Sequence, residues 1–264
     1  MTRINISLNE YEDALKYLDE RTIDDDFYNK LRVLAGYYFE EEQCSEKKVR
    51  EKLSEYVCFC GESPTLNIWA DMIDAAIKKA KKTKLLRIDE IKISKTEMEK
   101  IDSLESKQLR RLAFTLLCLS KYRDLVNVGN DHWICYEDKD IMKLANLKPS
   151  LDKQAEMYRK LTDLGYLEFP KKINSISMRI MFGDAEPSND TVLDVVKFEN
   201  LGYQYLKYCG EPYFECECCG LTVKLNNKRT GRPQKYCDRC ASLIKAKQTT
   251  DSIMRIRNMR KEAI

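Results

Sequence analysis

Apolar residues recur at spacings of three and four through most of the first 82 positions, a period that predicts helices. Tyr11, Leu15 and Leu18 mark one stripe, Leu31, Leu34, Tyr37 and Tyr38 a second, and Val49, Leu53 and Val57 a third. Asp24, Asp25 and Asp26 precede the second stripe, where acidic side chains suit the positive end of a helix dipole. Gly61 to Pro64 breaks the chain before a fourth helix over 66–82, with Trp69, Met72, Ile73 and Ile77 on one face. Its far end, Lys78 to Lys84, is basic, as a helix C-terminus favours. Residues 85–93 alternate as a strand. The whole stretch 1–95 reads as a helical N-terminal module.

The pattern changes over 96–183. A helix over 107–123 carries Leu109, Leu112, Leu116, Leu117 and Leu119 as core, and 130–136 follows as a short strand. A short helix over 138–145 ends at Asn146. A third helix starts after Ser150, a good N-cap, and stops at Gly165, the usual left-handed cap residue. On its wheel Leu151, Ala155, Tyr158 and Leu161 fall inside, while Asp152, Lys153, Glu156, Arg159, Lys160 and Asp163 fall outside. Residues 166–169 and 175–182 then pair as a hairpin around the tip 170–174. Helix, strand, helix, turn, helix and two-stranded wing is the order of a winged helix-turn-helix. A polar linker over 183–191 leads to an apolar stretch, 192–209, of no clear period. A cysteine-rich segment and a basic helix over 241–264 close the third unit, 192–264. The expected fold is mainly α with small β.

Charge sharpens this division. The 264 residues carry a net +3, but residues 1–105 sum to −5, 106–200 to +1 and 201–264 to +7. Apolar residues make up 43% of the chain, enough for a core, so disorder throughout is excluded. The longest apolar run, Leu112 to Leu119, is too short for the ~20 residues of a membrane span. The first ten residues lack the apolar core of a signal peptide. These readings predict a soluble protein of the cytoplasm.

Eleven cysteines in a reducing compartment point to metal ligation more than to disulfides. Six of them, Cys209, Cys216, Cys218, Cys219, Cys237 and Cys240, fall within 32 positions of the basic end. Cys216 with Cys219 and Cys237 with Cys240 form two C-x-x-C pairs 17 residues apart, the spacing of a four-cysteine zinc site. Each pair turns tightly and aims two thiolates at one point. The segment between folds back as a hairpin, and four sulfurs close a tetrahedron around Zn²⁺ with no open position. Such a site is structural, and in so short and polar a segment it supplies much of the folding free energy. Cys218 offers an alternative partner for Cys216. Only the Cys216–Cys219 pair mirrors Cys237–Cys240, however, and Gly220 suits the turn.

Between the pairs lies a basic tract that includes Lys228, Arg229, Arg232 and Lys235. Gly231-Arg232-Pro233 partly resembles the minor-groove AT-hook, with Thr230 where that motif has arginine, so a solvated basic hairpin tip is the favoured reading. The last helix adds further cations, Arg255 and Arg257 among them. With Lys171 and Lys172 on the wing, these residues make up the candidate phosphate contacts. The third helix of the middle unit balances three positive against three negative charges, so DNA contact and protein docking both stay open for that unit.

The stretch Lys235-Tyr-Cys-Asp-Arg-Cys-Ala241, followed by a basic helix, resembles short zinc ribbons in proteins of phages and prophages of Gram-positive bacteria. The segment from Ser106 to Lys121 is similar to part of uncharacterised phage-associated proteins of about this size. Residues 24–82 more distantly resemble small helical domains found beside phage and plasmid primases. The resemblance implies a phage-related, nucleic-acid-binding accessory protein and carries no particular activity.

Catalysis is not expected. His132 is the only histidine and reads as structural. Cys44, Cys58 and Cys60 have no matching second pair. The acidic runs Asp24–Asp26 and Glu40–Glu42 could hold Mg²⁺, but one starts a helix and the other lies on a solvated face. No glycine-rich phosphate loop occurs. The expectation is therefore a non-catalytic protein with structural Zn²⁺ that binds nucleic acid, DNA foremost, in phage replication or regulation. The competing expectation is an adaptor or inhibitor that docks on a protein partner.

Overall fold

A computed structural model describes residues 6–20, 22–64, 67–171, 176–184, 190–226 and 233–262, the last eight of these as backbone only. About half the chain is helical, with small antiparallel sheets. Among the described residues no helix is long and apolar enough to cross a membrane.

Four helices form the first unit: α1 (Glu10–Asp19), α2 (Phe27–Glu40), α3 (Glu46–Phe59) and α4 (Asn67–Ala80). Their starts follow local chemistry. Asn9 accepts the N–H groups of Tyr11 and Glu12, each at 3.2 Å, and Ser45 accepts that of Lys48. Leu31, Leu34, Val49, Leu53, Ile73 and Ile77 close the core. Leu15 does not join it: Ala14 and Tyr17 form the buried stripe of α1, and Leu15 is exposed. Both acidic runs contribute to packing. The ammonium of Lys30 is buried between Asp24 at 2.9 Å and Glu20 at 3.3 Å. Glu42 pairs with Lys52 at 2.7 Å, Glu41 with Arg87, and Glu40 accepts the N–H of Leu85 at 2.7 Å.

A second, larger core runs from Leu8 to Leu206. Its axis is α6 (Lys107–Val126), buried continuously from Leu112 to Ser120 and therefore enclosed on all sides. Around it lie α5 (Lys95–Asp102), α7 (Asp138–Leu144), α8 (Leu151–Asp163) and α9 (Leu201–Tyr208). One three-stranded antiparallel sheet has the order β2 (Trp133–Cys135), β4 (Ser177–Ile180), β3 (Leu167–Glu168). A second pairs β1 (Ile91–Ser94) with β5 (Thr191–Val195), placing Ile91 opposite Val195. The expected boundary at 95/96 thus falls in the first turn of α5, which shares one core with β1, and β5 at the end of the expected linker returns to that same core.

The seam is polar and tightly bonded. Glu97, fully buried, accepts the N–H groups of Ser94 and Asp184, each at 2.9 Å, and pairs with Lys121 at 2.7 Å. On α8 the wheel is rotated from expectation. Met157, Tyr158 and Leu161 face inward, while Ala155 is exposed and Leu151 is 83% exposed. The cause is the direction of approach: α8 packs through its second half and β3, so its first turn projects beyond the core.

Candidate metal centre

The last unit consists of β6 (Tyr213–Glu215), β7 (Thr222–Lys224) and α10 (Asp238–Glu262). β6 and β7 pair antiparallel with Phe214 opposite Val223, so the chain must reverse over residues 216–221. Gly220 makes that reversal with φ of 68°, a left-handed conformation that a side chain resists. Its N–H donates to Cys216 O at 2.8 Å, and the N–H of Cys216 donates to Leu221 O at 3.0 Å. The knuckle therefore aims Cys216 and Cys219 to one side. The second pair arrives at the root of α10. The N–H of Glu217 donates to Lys235 O at 2.9 Å and stitches the two knuckles together.

The four Sγ atoms of Cys216, Cys219, Cys237 and Cys240 all lie within 4.8 Å of one another. A tetrahedron with metal–sulfur bonds of about 2.3 Å has edges of about 3.8 Å. Cys219 and Cys237 are already 3.8 Å apart. These four residues can hold one metal ion, and Cys218, which is exposed, is not among them. Cys216, Cys237 and Cys240 are buried, so solvent has little access to three of the four sulfurs.

Electrostatics favour an ion here. Burial alone would raise the Cys216 thiol, but the backbone N–H groups of Cys237, Cys219 and Cys218 aim at its sulfur and bring it down to about 6. Burial raises Cys219, and the neighbouring Cys237 sulfur raises Cys240. One thiolate forms readily beside partners that resist ionisation without a cation, because four clustered negative charges need one.

The site is anchored to the large core by groups the spacing did not reveal. Lys197 reaches over the knuckle to Cys219 O. Asn200, left-handed with φ of 53°, donates from Nδ2 to Thr222 O at 3.0 Å and accepts from Asn146 Nδ2 at 2.8 Å. Arg111 of α6 donates to Ala145 O at 3.1 Å and to Asn146 O, and stacks over Tyr203, whose ring lies 4.8 Å from that of Tyr213. A chain of bonds thus links α6 through α9 to the cysteine hairpin.

The expected phosphate contacts divide three ways. Lys171 and Lys235 are exposed, and Lys235 pairs with Glu217 at 3.2 Å. Lys172, Lys228, Arg229 and Arg232 lie outside the described residues, and of Arg255 and Arg257 only the backbone, within α10, is described. Two other cations of the middle unit are engaged: Lys160 pairs with Glu105 and Glu156, and Arg179 with Asp131 and Glu168.

His132 fastens a loop. The Asp124 carboxylate takes Asn130 Nδ2 at 2.8 Å, the N–H of His132 at 2.9 Å and the His132 ring. Those bonds hold Asp131 and His132 in consecutive left-handed conformations. The cleft they border, about 470 Å³, is lined by charges that neighbours already satisfy: Lys121 with Glu97, Asp131 with Arg179, Asp184 with Ser94 and Thr96. No protein-family model, curated protein or solved structure matches this chain.

Proposed function

We propose that this chain is a non-catalytic, zinc-dependent nucleic-acid-binding protein of a phage or prophage, with DNA as its ligand. One observation carries the reading: the four-cysteine cluster roots the most basic part of the chain. Four thiolates in a closed, buried tetrahedron suit Zn²⁺ and leave no position for a substrate. Zinc with four thiolates contributes a charge of −2, so residues 201–264 keep about +5, enough for attraction to phosphate backbones. The metal serves as a clamp: it holds β6, β7 and the start of α10 in one orientation, so that the charges of this unit act together. The phage setting rests on the resemblance at 106–121 and 235–241.

Elements α6, β2, α7, α8, β3 and β4 follow the order of a winged helix, and we read them as one. Here a specific observation favours protein docking over base reading. Leu151 and Leu164, at the two ends of α8, are 83% and 57% exposed, and Lys160 between them is paired with Glu105 and Glu156.

A salt titration tests the proposal. Affinity of the zinc-loaded protein for mixed-sequence duplex should fall steeply with salt, and Arg229→Ala, Arg232→Ala or Lys172→Ala should each reduce the slope by about one. Undetectable binding at low salt rejects it in favour of a docking adaptor. Metal analysis of the purified protein should find one zinc per chain.

A further inference from the structure

Two surfaces of this chain lack a cover, and their chemistry is complementary. The first is one end of the α1–α4 module. Phe27 stacks on Tyr56 with ring centres 6.0 Å apart and meets Trp69 edge-on at 5.4 Å, and Tyr56 continues the row to Phe59 at 6.5 Å. The row surfaces where α2 begins, α3 ends and α4 begins. Ile23, Tyr28 and Ile68 stand exposed there, at 39%, 41% and 63%. Exposed carboxylates at the same end, Glu55, Glu62 and Asp71, belong to the segment of net charge −5. Large apolar side chains gathered inside a charged rim mark an interaction surface.

The second is α10. From Lys245 to Met254 every side chain is exposed, so nothing packs along that stretch of the helix as it leaves the metal site. Twenty-five residues span about 37 Å. Helices of this kind draw most of their stability from packing, and Thr249, Thr250, Ser252 and Ile253 are weak helix formers. Its sequence over 238–262 sums to +4 and sets Leu243, Ile253, Met254, Ile256 and Met259 among the cations.

We propose that α10 of one copy docks on the aromatic, acidic end of the helical module of a second copy. Apolar side chains of α10 cover Tyr28, Ile68 and the exposed edge of the aromatic row, and its lysines and arginines face the carboxylate rim. A second copy is required because Lys245 to Met254 of α10 stay uncovered within their own chain. The contact withdraws α10 from nucleic acid, so self-association and phosphate binding compete for one helix.

Sedimentation velocity of the full-length, metal-loaded protein tests this without nucleic acid, so the result is separate from any DNA-binding measurement. Association should grow with concentration and weaken with salt. Ile68→Asp and Lys247→Asp, both at exposed positions, should each cut it at least tenfold, with far-UV circular dichroism and metal content unchanged. Asp71→Lys should restore it in the Lys247→Asp background. Mixed light- and heavy-isotope protein should give cross-links between chains, from α10 to α3 or α4. A species that stays monomeric at every concentration, association indifferent to both substitutions, or cross-links only within one chain overturns the proposal.

Discussion

Gly202 is where the cysteine hairpin's support can be tested without touching a cysteine. The first turn of α9 lies so close to the end of α7 that a methyl group on Gly202 would stand 2.5 Å from the carbonyl carbon of Ala145, closer still to its oxygen, and 3.0 Å from Arg111 Nε. Carbon atoms in contact prefer about 3.5–4.0 Å, so something must move by about 1 Å. The carbonyl is held by Arg111, and α9 by Leu201, Tyr205 and Leu206, all nearly fully buried. Overpacking of this kind costs about 1–3 kcal/mol, and a backbone obstacle belongs to the upper part of that range. Gly202→Ala should therefore loosen α9 by at least about 2 kcal/mol, even though alanine is the better helix former. Hydrogen exchange at the α9 amides measures it locally, where 2 kcal/mol corresponds to exchange roughly 30-fold faster. Gly210→Ala is the control. Gly210 ends the same helix at φ 78° with nothing within 4 Å, so only backbone strain of about 1 kcal/mol is added. If Gly202→Ala exchanges like the wild type, or no faster than Gly210→Ala, the close approach does not limit α9 and the reasoning fails.

The cluster and the seam beside Glu97 give three more expected outcomes. Cys240→Ser should abolish stoichiometric metal binding in elemental analysis while Cys218→Ser leaves it intact, since Cys218 is outside the four-sulfur group. Metal affinity should fall as the pH is lowered. Cys216, brought down to about 6, is ionised at neutral pH, whereas Cys219 and Cys240 are raised and must lose protons to bind, so calorimetry in buffers of different ionisation enthalpy should show proton release. Glu97→Ala removes the acceptor of two backbone N–H groups and the partner of Lys121, and should cost about 3–5 kcal/mol by chemical denaturation.

Local signals in the sequence carry much of this fold. Ser150 caps α8 and Gly165 ends it at φ 75°, as their residue types imply, and the two C-x-x-C pairs do converge. A cap is settled by neighbours, and a thiolate knuckle by four adjacent residues. Long-range decisions are less visible. The pairing of Ile91 with Val195 depends on which strand finds which across a hundred residues, and alternation alone is silent on partners. The helix α5 escapes the apolar periodicity although Ser94 and Glu97 spell a capping box; both of its bonds are present. α9 gives no clear period because its eight residues turn Leu201, Tyr205 and Leu206 to the core and Tyr203 to Arg111 and Tyr213. Asn200 and Asn146, which tie the hairpin down, carry no sequence signal beyond being residues tolerant of positive φ.

The metal cluster and the basic helix are one device at the level of hydrogen bonds. Among the described residues four helices begin with serine accepting the N–H three residues on: Ser45 from Lys48, Ser94 from Glu97, Ser106 from Leu109 and Ser150 from Lys153. At α10 the same relation holds between Cys237 and Cys240, whose N–H donates to the Cys237 sulfur at 3.5 Å. The cap of α10 is therefore one of the four cysteines that can hold a metal ion. A sulfur held as a thiolate places negative charge at the positive end of the helix dipole, where it stabilises the first turn. Forming that turn is the unfavourable step of helix growth, and α10 has no packing from Lys245 to Met254 to compensate for it. An ion held there would act on distant charges through the cap: its direct hold would be on four sulfurs, and through them it would set the direction of a helix carrying most of the terminal cations.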